Sequence, residues 1–94
     1  MSIKVNQIKV GNYYYAGANC NQLRKVIEIK QDTQNRNRIV YVSKSANIPG
    51  RSFAPAATLA NPALESTFAK ACCKELSASE IQTLRQNNII LPNE

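Results

Sequence analysis

Leu23-Arg24-Lys25-Val26-Ile27-Glu28-Ile29-Lys30 and Arg38-Ile39-Val40-Tyr41-Val42-Ser43 are two β-branched, half-apolar runs. Between them lies Gln31-Asp32-Thr33-Gln34-Asn35-Arg36-Asn37, a segment without an apolar residue. Alternating runs joined by a short polar turn segment predict an antiparallel hairpin. In the first run strict alternation puts Leu23, Lys25, Ile27 and Ile29 on one face and Arg24, Val26, Glu28 and Lys30 on the other.

Two more strands are expected upstream. Ile3 and Val5, then Ile8 and Val10, alternate except for a slip at Asn6-Gln7, which predicts a strand over residues 3–10 with a bulge or bend. Gly11-Asn12 precedes Tyr13-Tyr14-Tyr15-Ala16, a compact aromatic strand ended by the turn residues Gly17-Ala18-Asn19. Downstream the pattern changes. Residues 45–60 are rich in Ser, Ala, Pro and Gly and read as a connector, with a short fifth strand around Arg51-Ser52-Phe53. Asn61-Pro62 has the composition of a helix start, and Leu64, Phe68, Ala71 and Cys72, with Cys73 and Leu76 alongside, keep helical spacing, so a helix is predicted from Asn61 to about Glu75. Ser77-Ala78-Ser79-Glu80 matches a capping box and opens a second helix to about Gln86. Asn88-Ile89-Ile90-Leu91-Pro92 is apolar enough to dock, as a final edge strand.

At 94 residues the chain is one domain, with a β-rich basic half over residues 1–53 and a helical half over 61–87. The fold class expected is α+β: a strongly bent antiparallel sheet or small β-barrel of four or five strands, followed by two C-terminal helices packed across one opening or face. Cys20, Cys72 and Cys73 are odd in number and lack the paired spacing of a disulfide framework or zinc site, so a reducing cytoplasm is expected. No segment approaches the roughly 20 apolar residues that span a bilayer, and no membrane association is expected.

Chemistry-bearing constellations are sparse. The chain has no His and six scattered acidic residues, of which only Glu28 and Asp32 are close. That leaves no acid–base pair, metal-ligand set or activated nucleophile in view, and no Walker or dinucleotide fingerprint. No enzyme activity and no cofactor are expected.

Charge is more informative. Of the net +6, residues 1–52 hold nine basic against two acidic groups, while the remainder holds three against four. Such a field favours encounter with polyanions, and it also keeps a small protein soluble. In an extended strand Tyr13 and Tyr15 face one way and Tyr14 the other, so at least one ring points away from the core. Exposed Tyr14 and Tyr41 rings would stack on bases while Arg24, Lys25, Arg36, Arg38 and Lys44 hold a phosphate backbone or an acidic protein surface. The competing expectation is that the tyrosines fill a small barrel.

The succession Val10-Gly11-Asn12-Tyr13-Tyr14-Tyr15, Leu23-Arg24-Lys25-Val26-Ile27-Glu28-Ile29 and Arg38-Ile39-Val40-Tyr41-Val42 is similar to Tudor- and KOW-type small β-barrels over residues 5–45. The resemblance implies a bent antiparallel barrel that binds nucleic acid or a peptide across its strands. The helical C-terminal third departs from it, and the four tyrosines are the only aromatics available for a cage. The functional expectation is a non-catalytic module that associates with nucleic acid through a basic, tyrosine-bearing sheet face. The alternative is a small accessory or inhibitor protein of a bacterial or phage system that covers an acidic protein surface. A second copy paired through an edge strand or through Ile89-Ile90-Leu91 is a further partner expected on this pattern.

Overall fold

The expected hairpin is the spine of the molecule. A computed structural model describes residues 2–55 and 62–94. In it β1 (Tyr13–Ala16), β2 (Gln22–Gln31), β3 (Asn37–Ser45), β4 (Ala54–Pro55) and β5 (Ala63–Leu64) precede α1 (Glu65–Ala71), β6 (Cys72–Glu75) and α2 (Ala78–Gln86). β2 pairs antiparallel with β3 from Gln22↔Ser45 to Gln31↔Asn37. The Asp32 carboxylate organises the connecting loop, accepting from the amides of Gln34 (2.8 Å) and Arg36 (2.9 Å) and from the guanidinium Nε of Arg36 and Arg38. Asn35 takes the left-handed conformation (φ 60) that closes the turn, a conformation Asn tolerates better than most residues.

The strand order is β4-β3-β2-β1-β6, with β5 sharing the outer edge of β3 with β4. Among the described residues this antiparallel sheet is open and does not close into a barrel. The fifth strand falls at Ala54–Pro55, just after the Arg51-Ser52-Phe53 segment expected to carry it. Strand Ile3–Val10 does not form. The slip at Asn6-Gln7 becomes a turn of 3₁₀ helix over Val5–Gln7, because the Gln7 side chain accepts from the Lys4 amide (2.8 Å) and the Ile8 amide bonds the Val5 carbonyl (3.0 Å). Ile3 and Ile8 are thereby buried, and Val5 and Val10 stay exposed.

The strict alternation expected for β2 also fails, at Ile27. The register jumps from Val26↔Tyr41 to Glu28↔Val40, which leaves Ile27 as a bulge residue on the surface. Val26 is held there by a second partner, since its carbonyl accepts from Gly11 (2.8 Å) and its amide donates to Asn12 (3.2 Å). Beyond the bulge the faces exchange, so Ile29 packs with the Val26 cluster and not with Leu23.

Both faces of the sheet are covered. On the first, Tyr14, Ala16, Val26, Ile39 and Tyr41 pack beneath Phe68 and Ala69 of α1, Cys72, and the N-terminal Ile3 and Ile8. On the second, Tyr13 and Leu23 pack beneath Leu84 of α2, Leu76, Ala46 and the tail residues Ile89 and Ile90. The two helices therefore lie on opposite faces, which corrects the expectation that they cover one opening together.

The crossing is made by residues that the sequence pattern assigns to helix. α1 stops at Ala71, and Cys72–Glu75 pairs with β1 at Tyr14↔Glu75, Tyr15↔Lys74 and Ala16↔Cys72. Two backbone bonds close this seam, Gly17 N–H to the Ala71 carbonyl (3.2 Å) and Leu76 N–H to the Tyr13 carbonyl (2.9 Å). Without β6 the outer edge of β1 would carry unpaired backbone groups beside a buried core, and this tertiary demand overrides helical spacing. The helix cap expected at Asn61 lies outside the described residues, and α1 starts only at Glu65, because Ala63–Leu64 pairs with β3 at Arg38↔Leu64 and Ile39↔Ala63.

The capping box of α2 forms as expected: Ser77 Oγ accepts from the Glu80 amide (3.2 Å) and Glu80 Oε1 accepts from the Ser77 amide (2.9 Å). The tail docks, but as a turn and not as a strand, with the Ile89 and Ile90 amides both bonded to the Leu84 carbonyl. Ile89 and Ile90 are buried and so have no free face for pairing with a second copy.

Candidate polyanion-binding surface

The residues expected to form a binding face do not share one. Tyr14 is fully buried, its ring edge-on to Phe68 at 5.6 Å. Its hydroxyl donates to the Gln7 carbonyl (2.7 Å) and accepts from the Lys9 amide (2.9 Å). Burial pushes its phenol pKa up, against the lowering effect of the Lys9 amide. Tyr41 is buried against Phe68 at 5.1 Å, and the Arg24 guanidinium lies 4.5 Å from its ring centroid. Neither ring offers a free face for a base, which corrects the stacking role expected of both. The reason is shared: with helical or N-terminal cover over each sheet face, the large aromatic surface contributes most by burial.

The cations divide in the same way. Arg24 spans Tyr41 and Phe68 (5.6 Å) and donates to Gln22 Oε1 at 2.7 Å, on the first face. Lys25 lies on the second, 5.4 Å from the Tyr13 ring centroid. Arg38 donates to Asp32 and to the Pro62 carbonyl (2.9 Å), and Arg36 shares the same Asp32 carboxylate. Lys44 is interior. Its ammonium pairs with Glu94 Oε1, donates to the Arg51 carbonyl (2.8 Å) and sits 4.3 Å from the Phe53 ring centroid. That corrects its assignment as a phosphate ligand, because a side chain only 2% exposed and already paired has no free face for a phosphate. Among the seven residues, the structure brings together Arg36 with Arg38 through Asp32, and Arg24 with Tyr41.

A different set of cations is exposed in the layer over the first sheet face. The Ile3 amide donates to the Ala69 carbonyl (3.3 Å), which lays the N-terminal segment alongside α1 in the layer over the first sheet face. Lys4 and Lys9 on that segment and Lys70 on α1 are all exposed. None of them takes part in an ion pair among the described residues. Glu65, at the start of α1, accepts from Asn37 Nδ2 (3.3 Å) and is the one carboxylate of that helix. Sequence reasoning missed this set. Lys4 and Lys9 flank the Asn6-Gln7 slip, a visible signal once that slip is read as a turn, whereas Lys70 belongs to the half with no basic excess and is joined to them only by tertiary packing.

Beside this layer, at the hairpin end, lies an open groove of about 410 Å³. Val5 and Leu64 supply its apolar wall, and Gln31, Asn35, Asn37 and Arg36, with the Glu65 carboxylate and Ser66, its polar one.

The cysteines differ from expectation as well. Cys20, in the turn after β1, is disulfide-bonded to Cys73 on β6, with Cα atoms 5.9 Å apart. The pairing is invisible in linear spacing because it depends on β6 being a strand. A reducing compartment inferred from unpaired cysteines loses that basis. Cys72 is free and buried, and burial raises its thiol to about 11 despite the lowering effect of the Arg24 guanidinium.

No helix among the described residues is long and apolar enough to cross a membrane. No protein-family model matches the chain, and comparison with curated proteins and with solved structures finds no significant match.

Proposed function

We propose that the protein is a non-catalytic binding module that holds nucleic acid by its phosphate backbone, through the layer carrying Lys4, Lys9 and Lys70. The observation that carries this reading is that the three ammonium groups are exposed on one layer and have no carboxylate partner among the described residues. Exposed lysines neutralise phosphates by releasing condensed counterions, and this term is independent of sequence. The adjoining groove supports the same reading, because the amide side chains of Gln31 and Asn35 can hydrogen-bond base or sugar edges. Contact is therefore through phosphates and amides, with the tyrosines serving as core.

The test is fluorescence anisotropy of labelled single- and double-stranded DNA and RNA at about 50 and 200 mM salt. Three phosphate contacts give a slope of log K against log salt of about −2 to −3. The K4E/K9E/K70E variant loses binding at low salt while keeping its circular dichroism spectrum. Unchanged affinity in that variant, or no binding at low salt by the wild-type chain, overturns the proposal.

One observation favours a second reading. Val5 is 40% exposed and stands next to Lys4, so apolar and basic groups lie side by side, a combination suited to an acidic protein surface with an apolar recess. A pull-down that survives nuclease treatment and is lost on Val5→Asp supports that reading over the first.

A further inference from the structure

We propose that the Cys20–Cys73 disulfide is an exchange site for a dithiol reductant, and that its reduction lets Cys72–Glu75 leave β1 and continue α1 as a helix. Placement makes the bond reachable. Cys20 is exposed in the turn between β1 and β2, and Cys73 is half-buried on the outermost strand of the sheet. Cys20 also holds a positive φ of 54, disfavoured for a residue with a β-carbon.

The strand that the bond secures is weakly held by other means. β6 has four residues, pairs on one side only, and shifts register between Tyr15 and Ala16. Its composition is not that of a strand, since Cys72-Cys73-Lys74-Glu75 lacks any β-branched or aromatic residue. Its spacing belongs to the preceding helix: Phe68, Cys72 and Leu76 recur every four residues. Cys72 and Phe68 already share one core cluster. Extending the helix through Cys72 therefore keeps that contact, and the Ala71 carbonyl exchanges Gly17 for the amide of Glu75. Leu76 leaves the second cluster.

The two conformations exclude one another on length. Four residue steps advance about 13 Å in a strand and about 6 Å in a helix, so Glu75 cannot stay opposite Tyr14 once the helix extends. With Cys73 bonded to Cys20 beside the β1–β2 turn, residue 73 is tied to the strand position.

The exchange balances without any other reactant. A thiolate of the dithiol attacks one sulfur, forming a mixed disulfide and releasing the other cysteine as a thiolate, which takes up a proton. The second thiol of the reductant then displaces the remaining cysteine. Two electrons and two protons pass to Cys20 and Cys73, and the reductant leaves as its own disulfide. Cys72 stays out of the exchange because its thiol is buried in the first cluster.

The proposal does not depend on the nucleic-acid reading, and its test uses the intact chain before and after dithiothreitol, followed by hydrogen exchange and far-ultraviolet circular dichroism. The expected result has three parts. Two cysteines become alkylatable, the amide of Gly17 loses protection by about tenfold or more while those of the β2–β3 hairpin keep theirs, and helical signal grows by roughly one turn. Cys20→Ser reproduces this state without reductant, and Lys74→Pro in the reduced chain abolishes the added helix. A bond that resists dithiothreitol, protection unchanged at Gly17, loss without helical gain, or loss across the hairpin as well would each overturn the proposal.

Discussion

The substitution Glu94→Gln is the sharpest probe of how the interior is held. The Glu94 carboxylate accepts from the Lys44 ammonium and the Leu91 amide (2.9 Å) through Oε1 and from the Phe53 amide (2.8 Å) through Oε2. An amide of the same shape has one acceptor oxygen, so one side of the substituted group must turn an N–H toward a donor. If the oxygen faces Phe53, Lys44 is left as a charge in a site where its side chain is 2% exposed. Removing one partner of a buried pair costs about 3–5 kcal/mol. With a urea dependence of about 1–3 kcal/mol per molar, the midpoint falls by roughly 1–5 M at neutral pH. The pH profile adds a check of sign. Burial alone would raise the Glu94 carboxyl, but the bonds from Lys44, Leu91 and Phe53 outweigh it and hold it below its ordinary 4.5. A depressed carboxyl stabilises fully above its unfolded value and loses that contribution as pH falls through the folded one. The gap between wild type and variant is therefore widest at neutral pH and narrows below about pH 4.5. A loss under about 1 kcal/mol at pH 7, the size typical of exposed pairs, would refute the reasoning.

Three further outcomes follow from the same packing. Phe68→Ala removes the ring shared by Tyr14, Tyr41 and Arg24, and costs about 3–5 kcal/mol in denaturant unfolding. Lys74→Met breaks an ion pair whose side chains are 55% and 30% exposed, and changes stability by about 1 kcal/mol or less in the same assay. In acid titration followed by circular dichroism, stability holds from neutral pH to about 5 and then declines towards about pH 2. Asp32 sets the lower end, since the Arg36 amide first, then the Gln34 amide and the Arg38 and Arg36 side chains, hold its carboxyl at about 2.

The hairpin and the α2 cap were legible because each is decided locally. Asp32 and Asn35 close the loop with bonds inside six residues, and the Ser77–Glu80 box spans four. What escaped was decided by distant partners. Ile27 has the pattern of a strand residue, and only the Gly11 and Asn12 bonds to Val26 reveal the bulge beside it. Cys72–Glu75 has the spacing of a helix, and the open edge of β1 together with the Cys20–Cys73 bond makes it a strand. The burial of Tyr14 and Tyr41 escaped for a related reason. A tyrosine alternates outward from its strand, yet whether outward means solvent depends on the second cover, and here Tyr14 and Tyr41 meet α1 and the N-terminal segment. The segment carrying Lys4 and Lys9 is laid beside the helix carrying Lys70 through the Ile3–Ala69 bond, which no window of sequence contains.

The seam between β1 and β6 orders the folding reaction in time. The β2–β3 hairpin joins near neighbours through a short loop, whereas Tyr14 must find Glu75 across most of the chain before the two helices can take opposite sides. Closing that long excursion delays native contacts, so the hairpin is the natural nucleus and the β1–β6 zipper the late step. Mutations in the seam should then accelerate unfolding more than they slow folding, and the cysteines at positions 20 and 73 should meet only after the rest of the sheet has assembled.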